Sequence, residues 1–342
     1  MAQIARRAAA LLALLALAGA GRAAAQQTQP QVSVGGVVYA QYLYQLKDTA
    51  NHQNGFDVTR AYVNVVGKFQ QGLMTRVTTD IYRAADSSTV VRLKYAYLAW
   101  TPEKSHLTYR FGLTQTPWLD YEETLWDYRM QGSMALDRNG YVTSSDFGAA
   151  VDGTWNQDKV NFQAGVYNGE GYSKGTGDQR KDVAARVSVR LLDTDDNSKV
   201  GGLRLTGFTD IGKPTSGGKR DRYTGQVSYR TKALTLAGEY TSATDTVTAP
   251  ATAERKGSIV SAFGTYKVPA SKVILVARVD VVDPNTSVSG DKQTRIIGGI
   301  AYQVTPNWRA MVDVDNLSYE STPTPTQEAK RSTLYFQSQL TF

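Results

Sequence analysis

The chain has no cysteine, which excludes a disulfide framework and leaves backbone pairing and burial as its sources of stability. It has only two histidines. His52 falls in an outer connection and His106 at a turn on the opposite end of the strand pattern described below, so they cannot act as a pair. Neither stands at metal-ligand spacing. No catalytic residue, metal or cofactor site is therefore assigned. Long apolar runs are missing too: Ala8 to Ala18 is too short to carry a helix across a bilayer, and no later segment approaches the roughly 20 residues needed. Charge of one sign is scarcely in excess, with 38 Lys and Arg against 31 Asp and Glu, too little to argue for nucleic acid. The mean hydropathy of -0.36 would suit a soluble protein, but a transmembrane barrel hides its apolar surface by alternation, so the average does not exclude one.

Arg6 and Arg7 precede the apolar run, and Ala23-Ala24-Ala25 follows it as a small-residue cleavage site. That order predicts a secretory signal peptide over residues 1–25. Its removal takes away Arg6, Arg7 and Arg22 and no acid, leaving 35 basic residues against 31 acidic, a net charge of +4. Residues 26–31 read as a short polar leader, and the domain proper as 32–342.

From Val32 to the last residue, segments with period-two alternation recur between turn residues, the pattern of strands with two different faces. There are about sixteen, from 32–47 to 330–342. Their connections alternate short and long, which puts both termini at the short-turn end. Parity assigns the faces. In the second strand Ala61, Val63, Val65 and Phe69 fall on one side and Arg60, Tyr62, Asn64 and Lys68 on the other. In the fifth, Leu107, Tyr109, Phe111 and Leu113 oppose Thr108 and Arg110. In the eighth, Val183, Ala185, Val187, Val189 and Leu191 oppose Asp182, Arg186, Ser188 and Arg190. A polar set this consistent predicts a water-filled lumen with the apolar set facing lipid, whereas a soluble barrel would reverse the two. The expected fold is all-β: a transmembrane antiparallel β-barrel with an inward-folded third outer loop.

That loop, 114–143, interrupts the pattern. It combines Trp118, Tyr121, Trp126 and Tyr128 with Asp120, Glu122, Glu123 and Asp127. A connection this long in a compact fold is commonly functional, and its aromatics argue against disorder. It is expected to fold into the lumen as a constriction, aromatics on the wall and carboxylates toward the passage.

The final strand carries Leu334, Phe336, Leu340 and Phe342 on one parity, and here the chain resembles outer-membrane β-barrel proteins, whose last strand ends in an aromatic residue. The stretch from Phe56 to Phe69 (FDVTRAYVNVVGKF), followed by Arg76-Val77-Thr78-Thr79-Asp80, resembles the early hairpin of the phosphate-selective porin O and P family. Leu93 to Leu98 and Tyr109 to Leu113, running into Thr116-Pro117-Trp118, continue the likeness over roughly residues 32–190. The resemblance implies a homotrimeric, sixteen-stranded channel for small solutes in the bacterial outer membrane, with outer-membrane lipid around it. Members selective for phosphate line the constriction with basic residues, lysine prominent among them. In this chain the segment Thr116 to Gly140 has no lysine, and its acids are offset by Arg129 and Arg138.

Inward parity places Arg60, Arg76, Arg92, Lys94 and Arg110 on four consecutive strands, a basic wall that the plug acids Asp120, Glu122, Glu123 and Asp127 would face. Opposed rows of charge set a transverse field across a pore. A second inward set, Arg186, Arg190, Arg204, Arg222, Arg230, Arg278, Arg295 and Arg309, is partly neutralised by inward acids and expected to form wall pairs. The expected activity is passive diffusion of small hydrophilic solutes, mildly favouring anions such as phosphate. Two competing classes are an outer-membrane β-barrel enzyme acting as a hydrolase and a loop-based adhesin or anchor. Adjacent acids such as Glu122-Glu123 and Asp195-Asp196 are ordinarily solvated. The glycine-rich Gly169 to Gly177 joins two strands and does not open a helix, so it is not a phosphate-cradling loop.

Overall fold

The computed structural model describes residues 30–84, 86–174, 178–214, 217–247 and 252–342. The expected signal peptide and residues 26–29 of the leader lie outside the described residues. Gln31, expected as leader, already opens the first strand.

The strands are β1 (Gln31–Gln45), β2 (Asn54–Lys68), β3 (Leu73–Arg83), β4 (Thr89–Trp100), β5 (Leu107–Gln115), β6 (Ser145–Trp155), β7 (Val160–Tyr167) and β8 (Asp182–Leu192). They continue as β9 (Gly202–Gly212), β10 (Arg220–Arg230), β11 (Leu234–Val247), β12 (Ala253–Lys267), β13 (Val273–Asp283), β14 (Gln293–Thr305), β15 (Trp308–Tyr319) and β16 (Ser332–Thr341). Each pairs antiparallel with its neighbours in sequence, and β1 pairs with β16 to close the barrel. Closure satisfies the ladder groups that an open edge would leave bare in hydrocarbon. At the seam, the Gly36 and Phe342 backbones exchange two hydrogen bonds, of 2.8 and 3.0 Å.

Alternation decides the faces as expected. Val187, Leu205, Val227, Leu236, Val260, Leu275, Ile296, Val312 and Phe336 are exposed, while inward Arg186, Ser188, Arg204, Thr241, Ser261 and Asp280 are buried. This inverts a soluble barrel, and the exterior belt is one that only hydrocarbon solvates without cost. No helix among the described residues is long and apolar enough to cross a membrane; the strands form the wall.

Parity breaks in β8 at Leu191 and in β14 at Val304, and at three places on β2, β4 and β5 that bear on the lumen. In β2, Arg60 pairs with Tyr39 but Val58 with Ala40, so Thr59 is an extra, bulged residue that keeps Val58 outward and Arg60 inward. In β4, Tyr95 pairs with Thr78 but Leu93 with Thr79, so Lys94 is bulged and the consecutive Lys94 and Tyr95 are both buried. In β5, Leu113 is buried and not on the lipid face as parity predicts: Gly112 takes φ of +123°, a conformation open chiefly to glycine, and the next three residues are all buried.

Inside lies the connection 116–144. After Trp118 it forms α1 (Leu119–Trp126), with Asp120 and Glu122 in the first turn, where carboxylates complement the helix dipole. Asp127 ends it in the left-handed region, φ 61°. A short helix α2 (Ala135–Arg138) follows. Trp118, Leu119, Leu125, Trp126, Met134 and Leu136 are fully buried, so the apolar core of the molecule is the plug packed on the inner wall.

Candidate functional site

Wall arginines hold the plug through its carbonyl oxygens. Arg186 of β8 donates to Pro117 (3.0 Å), Arg222 of β10 to Tyr141 (2.9 Å), Arg230 of β10 to Thr124 (2.7 Å), Arg278 of β13 to Ser133 (3.0 Å) and Arg309 of β15 to Asp127 (2.6 Å). Sequence parity placed these residues inward but predicted wall pairs; their donors reach the plug because its turns leave carbonyls without backbone partners. Aromatic contacts add to this. Trp118 lies 5.3 Å from the Phe208 ring and Trp126 5.2 Å from Phe263, while the Tyr121 hydroxyl meets Ser188 and Thr206.

The anchors all lie on β8 to β15, so the open space falls on the other side. It encloses about 260 Å³ between Val37, Tyr39, Tyr62, Asn64, Arg76, Thr78, Lys94 and Tyr95 on the wall and Asp120, Glu123, Thr124, Asp127 and Arg129 on the plug. A second space of about 360 Å³ lies among the outer connections and is lined in part by Arg60, Arg92, Asp137 and Tyr172.

The five basic wall residues thus divide. Arg76 and Lys94 line the inner space. Arg60 and Arg92 line the outer one, where both bond the fully buried Asp80, at 2.7 and 2.8 Å, with the Arg92 guanidinium between the Tyr82 and Tyr172 rings at 3.8 and 4.3 Å. Arg110 borders neither space and pairs with Asp152 at 3.0 Å.

Three of the four expected plug acids line the inner space, each already paired: Asp120 with Lys199 (2.9 Å), Glu123 with Arg129 (2.7 Å) and Asp127 with Arg309 (3.2 Å). Burial pushes the Asp120 carboxyl up, but Lys199 brings it below its ordinary range. Glu122 does not face the passage. It is fully buried on the wall side, its carboxyl raised by burial and then by Glu239 of β11. On α1 it sits two residues from Asp120, about 200° around the helix, so it points the other way. Arg129 lines the passage between Glu123 and, at 3.6 Å, Asp137, a plug acid the sequence reading passed over. Arg138 is turned to the wall, 3.6 Å from Asp315.

Arg76 and Lys94 have no carboxylate within 4 Å among the described residues. Arg76 donates to Thr78 (3.0 Å) and Asn64 (2.8 Å) and stacks 4.7 Å over Tyr95. Lys94 stands 4.6 Å over the Tyr62 ring and 3.4 Å from its hydroxyl. Two features escape sequence reasoning. The bulge that turns Tyr95 beside Lys94 leaves no mark in residue types. Lys199 lies in the connection 193–201, whose excess length for the short-turn end was the one available signal.

No family model matches the chain, and no curated protein matches it. Solved structures do. An anion-selective porin from Comamonas acidovorans superposes with a TM-score of 0.68 at 13% identity, over 92% of this chain and 100% of that one. OmpT of Vibrio cholerae, an outer membrane protein in its trimer form, gives 0.61 at 13%, over 92% and 100%. The outer membrane channel DcaP of Acinetobacter baumannii gives 0.62 at 12%, over 94% and 99%. At such identities the likeness is one of fold: the chain has the closed sixteen-stranded barrel of bacterial outer-membrane proteins.

Proposed function

We propose that the chain is an outer-membrane porin through which small hydrophilic solutes diffuse passively, with a mild preference for anions such as phosphate. The observation that carries this is the charge balance of the inner space. Each lining carboxylate is bonded to a cation, Glu123 to Arg129 within the lining and Asp120 and Asp127 to Lys199 and Arg309 from outside it, whereas Arg76 and Lys94 have no carboxylate partner, so with those outer cations counted the space carries an excess of positive charge. A cation in a narrow, low-dielectric constriction raises the local concentration of anions. We further propose a homotrimer embedded in outer-membrane lipid, an exported precursor cleaved after Ala25, and kinship with the phosphate-selective porin O and P family; the basic wall on β2 to β5 supports the last of these. The chain is read as a channel and not as an enzyme, with His52 and His106 in connections at opposite ends of the barrel.

Single-channel current in a planar bilayer tests this, with reversal potential in a salt gradient and phosphate or pyrophosphate as competitor. Ohmic steps with mild anion preference, blocked only at high phosphate, are expected. Block at low phosphate would make it an anion-specific channel. Absence of steps from folded protein would overturn the pore and bring forward the adhesin and hydrolase classes.

A further inference from the structure

The connection between β8 and β9, residues 193–201, is longer than the others at its end of the barrel, and it does not hang outside. Val200 is fully buried. The Lys199 carbonyl accepts from Asn161 Nδ2 of β7 (3.0 Å), and the Gly201 carbonyl from Nε of the buried Arg204 (2.8 Å). Gly201 packs so closely on Asp196 that a Cβ there would collide with the Asp196 carbonyl. The turn is thus built to a fixed shape, and it meets α1 at both ends. Lys199 Nζ bonds Asp120 Oδ2 in the first turn at 2.9 Å. Asp196 bonds Arg230 Nε at 2.8 Å, and Arg230 in turn donates to the Thr124 and Leu125 carbonyls of the last turn, at 2.7 and 3.2 Å. A cation is thereby delivered to the one lining carboxylate that neither the plug nor a strand neutralises, since Glu123 uses Arg129 and Asp127 uses Arg309.

We propose that this connection is a selectivity brace: it holds α1 from below and, through Lys199, cancels the charge of Asp120 at the passage. The proposal rests on the porin reading above. Lys199 is a positioning and charge-setting residue, not one that contacts solute by itself. The pair is partly solvated, with side chains 43% and 38% exposed, so it adds little stability and its removal leaves the barrel folded. What changes is the field. One unit charge about 6 Å from the ion path, screened in 0.1 M salt, alters the anion-to-cation permeability ratio roughly threefold.

The test is a double-mutant cycle read by reversal potential. Lys199→Ala is expected to lower the anion-to-cation ratio about threefold and Asp120→Asn to raise it by a similar factor; the double variant should return near the starting value, and Lys199→Arg should leave it unchanged. A merely structural role would move conductance or heat stability without this sign reversal. Unchanged selectivity in folded Lys199→Ala, or a double variant as cation-shifted as the single one, overturns the brace while leaving the porin intact. Absence of channels from the unmodified protein overturns the porin reading itself, and the brace with it.

Discussion

Replacing Lys94 by Met and Arg76 by Gln together removes the two unpaired cations of the inner space while keeping side chains of similar length. Neither substitution strands a buried carboxylate, because neither residue has one within 4 Å. Replacing Arg60 and Arg92 instead would leave Asp80 buried without a cation, confounding selectivity with stability. After Arg76→Gln, Asn64 and Thr78 still bond each other at 2.7 Å. A unit charge about 6 Å from an ion in water is worth about 0.7 kcal/mol, of opposite sign for anion and cation. With a Debye length of about 10 Å at 0.1 M, roughly half of that survives. Two charges then change the permeability ratio about tenfold, enough to carry the reversal potential in a tenfold KCl gradient from the anion side toward the cation side. The same pair at 1 M salt, where the Debye length is about 3 Å, should differ little from the parent. An unchanged reversal potential at low salt, with conductance and folding intact, would refute the claim that these two residues set the preference.

Arg278 is fully buried with Asp280, at 2.6 Å, so Arg278→Met should destabilise the barrel by about 3–5 kcal/mol and loosen the plug at Ser133, seen as a lower urea midpoint and larger, noisier current steps. If the double variant with Asp280→Leu is no more stable, an uncompensated carboxylate is not the cause. Val187→Arg places a cation on the lipid face and should cost roughly 2–4 kcal/mol in bilayer folding titrations; wild-type folding would mean the facing is inverted. Glu122 has its carboxyl raised above the ordinary 4.5, so the folded state holds this proton more tightly than the unfolded chain. Its contribution to stability is full below about pH 4.5 and is lost as pH rises through the elevated folded value. Glu122→Gln should flatten that part of the urea-midpoint profile, and an unaltered slope would exclude Glu122 as its source.

The barrel was legible because a strand's two faces are written directly into alternate residues. Sixteen strands, the polar lumen and the plug's place in the chain all followed from period-two reading and turn chemistry. What failed were the points where backbone geometry breaks the period. Gly112 and the Lys94 bulge each re-aim side chains by one residue, and nothing in residue types distinguishes a bulged Lys94 from a paired one. Plug orientation was half legible. Asp120 and Glu123 lie on one face of α1 and Glu122 on the other, a consequence of helical spacing that reading the segment as an irregular loop conceals. Partners drawn from distant elements, such as Lys199 to Asp120, depend on closure of the whole barrel and have no local signature.

The position of the plug also explains why a chain so rich in inward arginine need not be a strongly anion-selective filter. Carbonyl oxygens at the turns of the plug need donors in a lumen where strand backbones are already paired, and arginine supplies several in a fixed plane. Most guanidinium groups of β8 to β15 are committed to that task and to neighbouring acids, and none of them lines the inner space. Where the plug leaves the wall uncovered, on β1 to β5, basic residues either bond a carboxylate, as Arg60 and Arg92 share Asp80 and Arg110 takes Asp152, or have none within 4 Å, as with Arg76 and Lys94. On the porin reading, selectivity is then governed by the cations left unpaired at the inner space and not by the total, which is why neutralising Arg278 should change stability and pore size, and neutralising Arg76 and Lys94 together should carry the reversal potential toward the cation side.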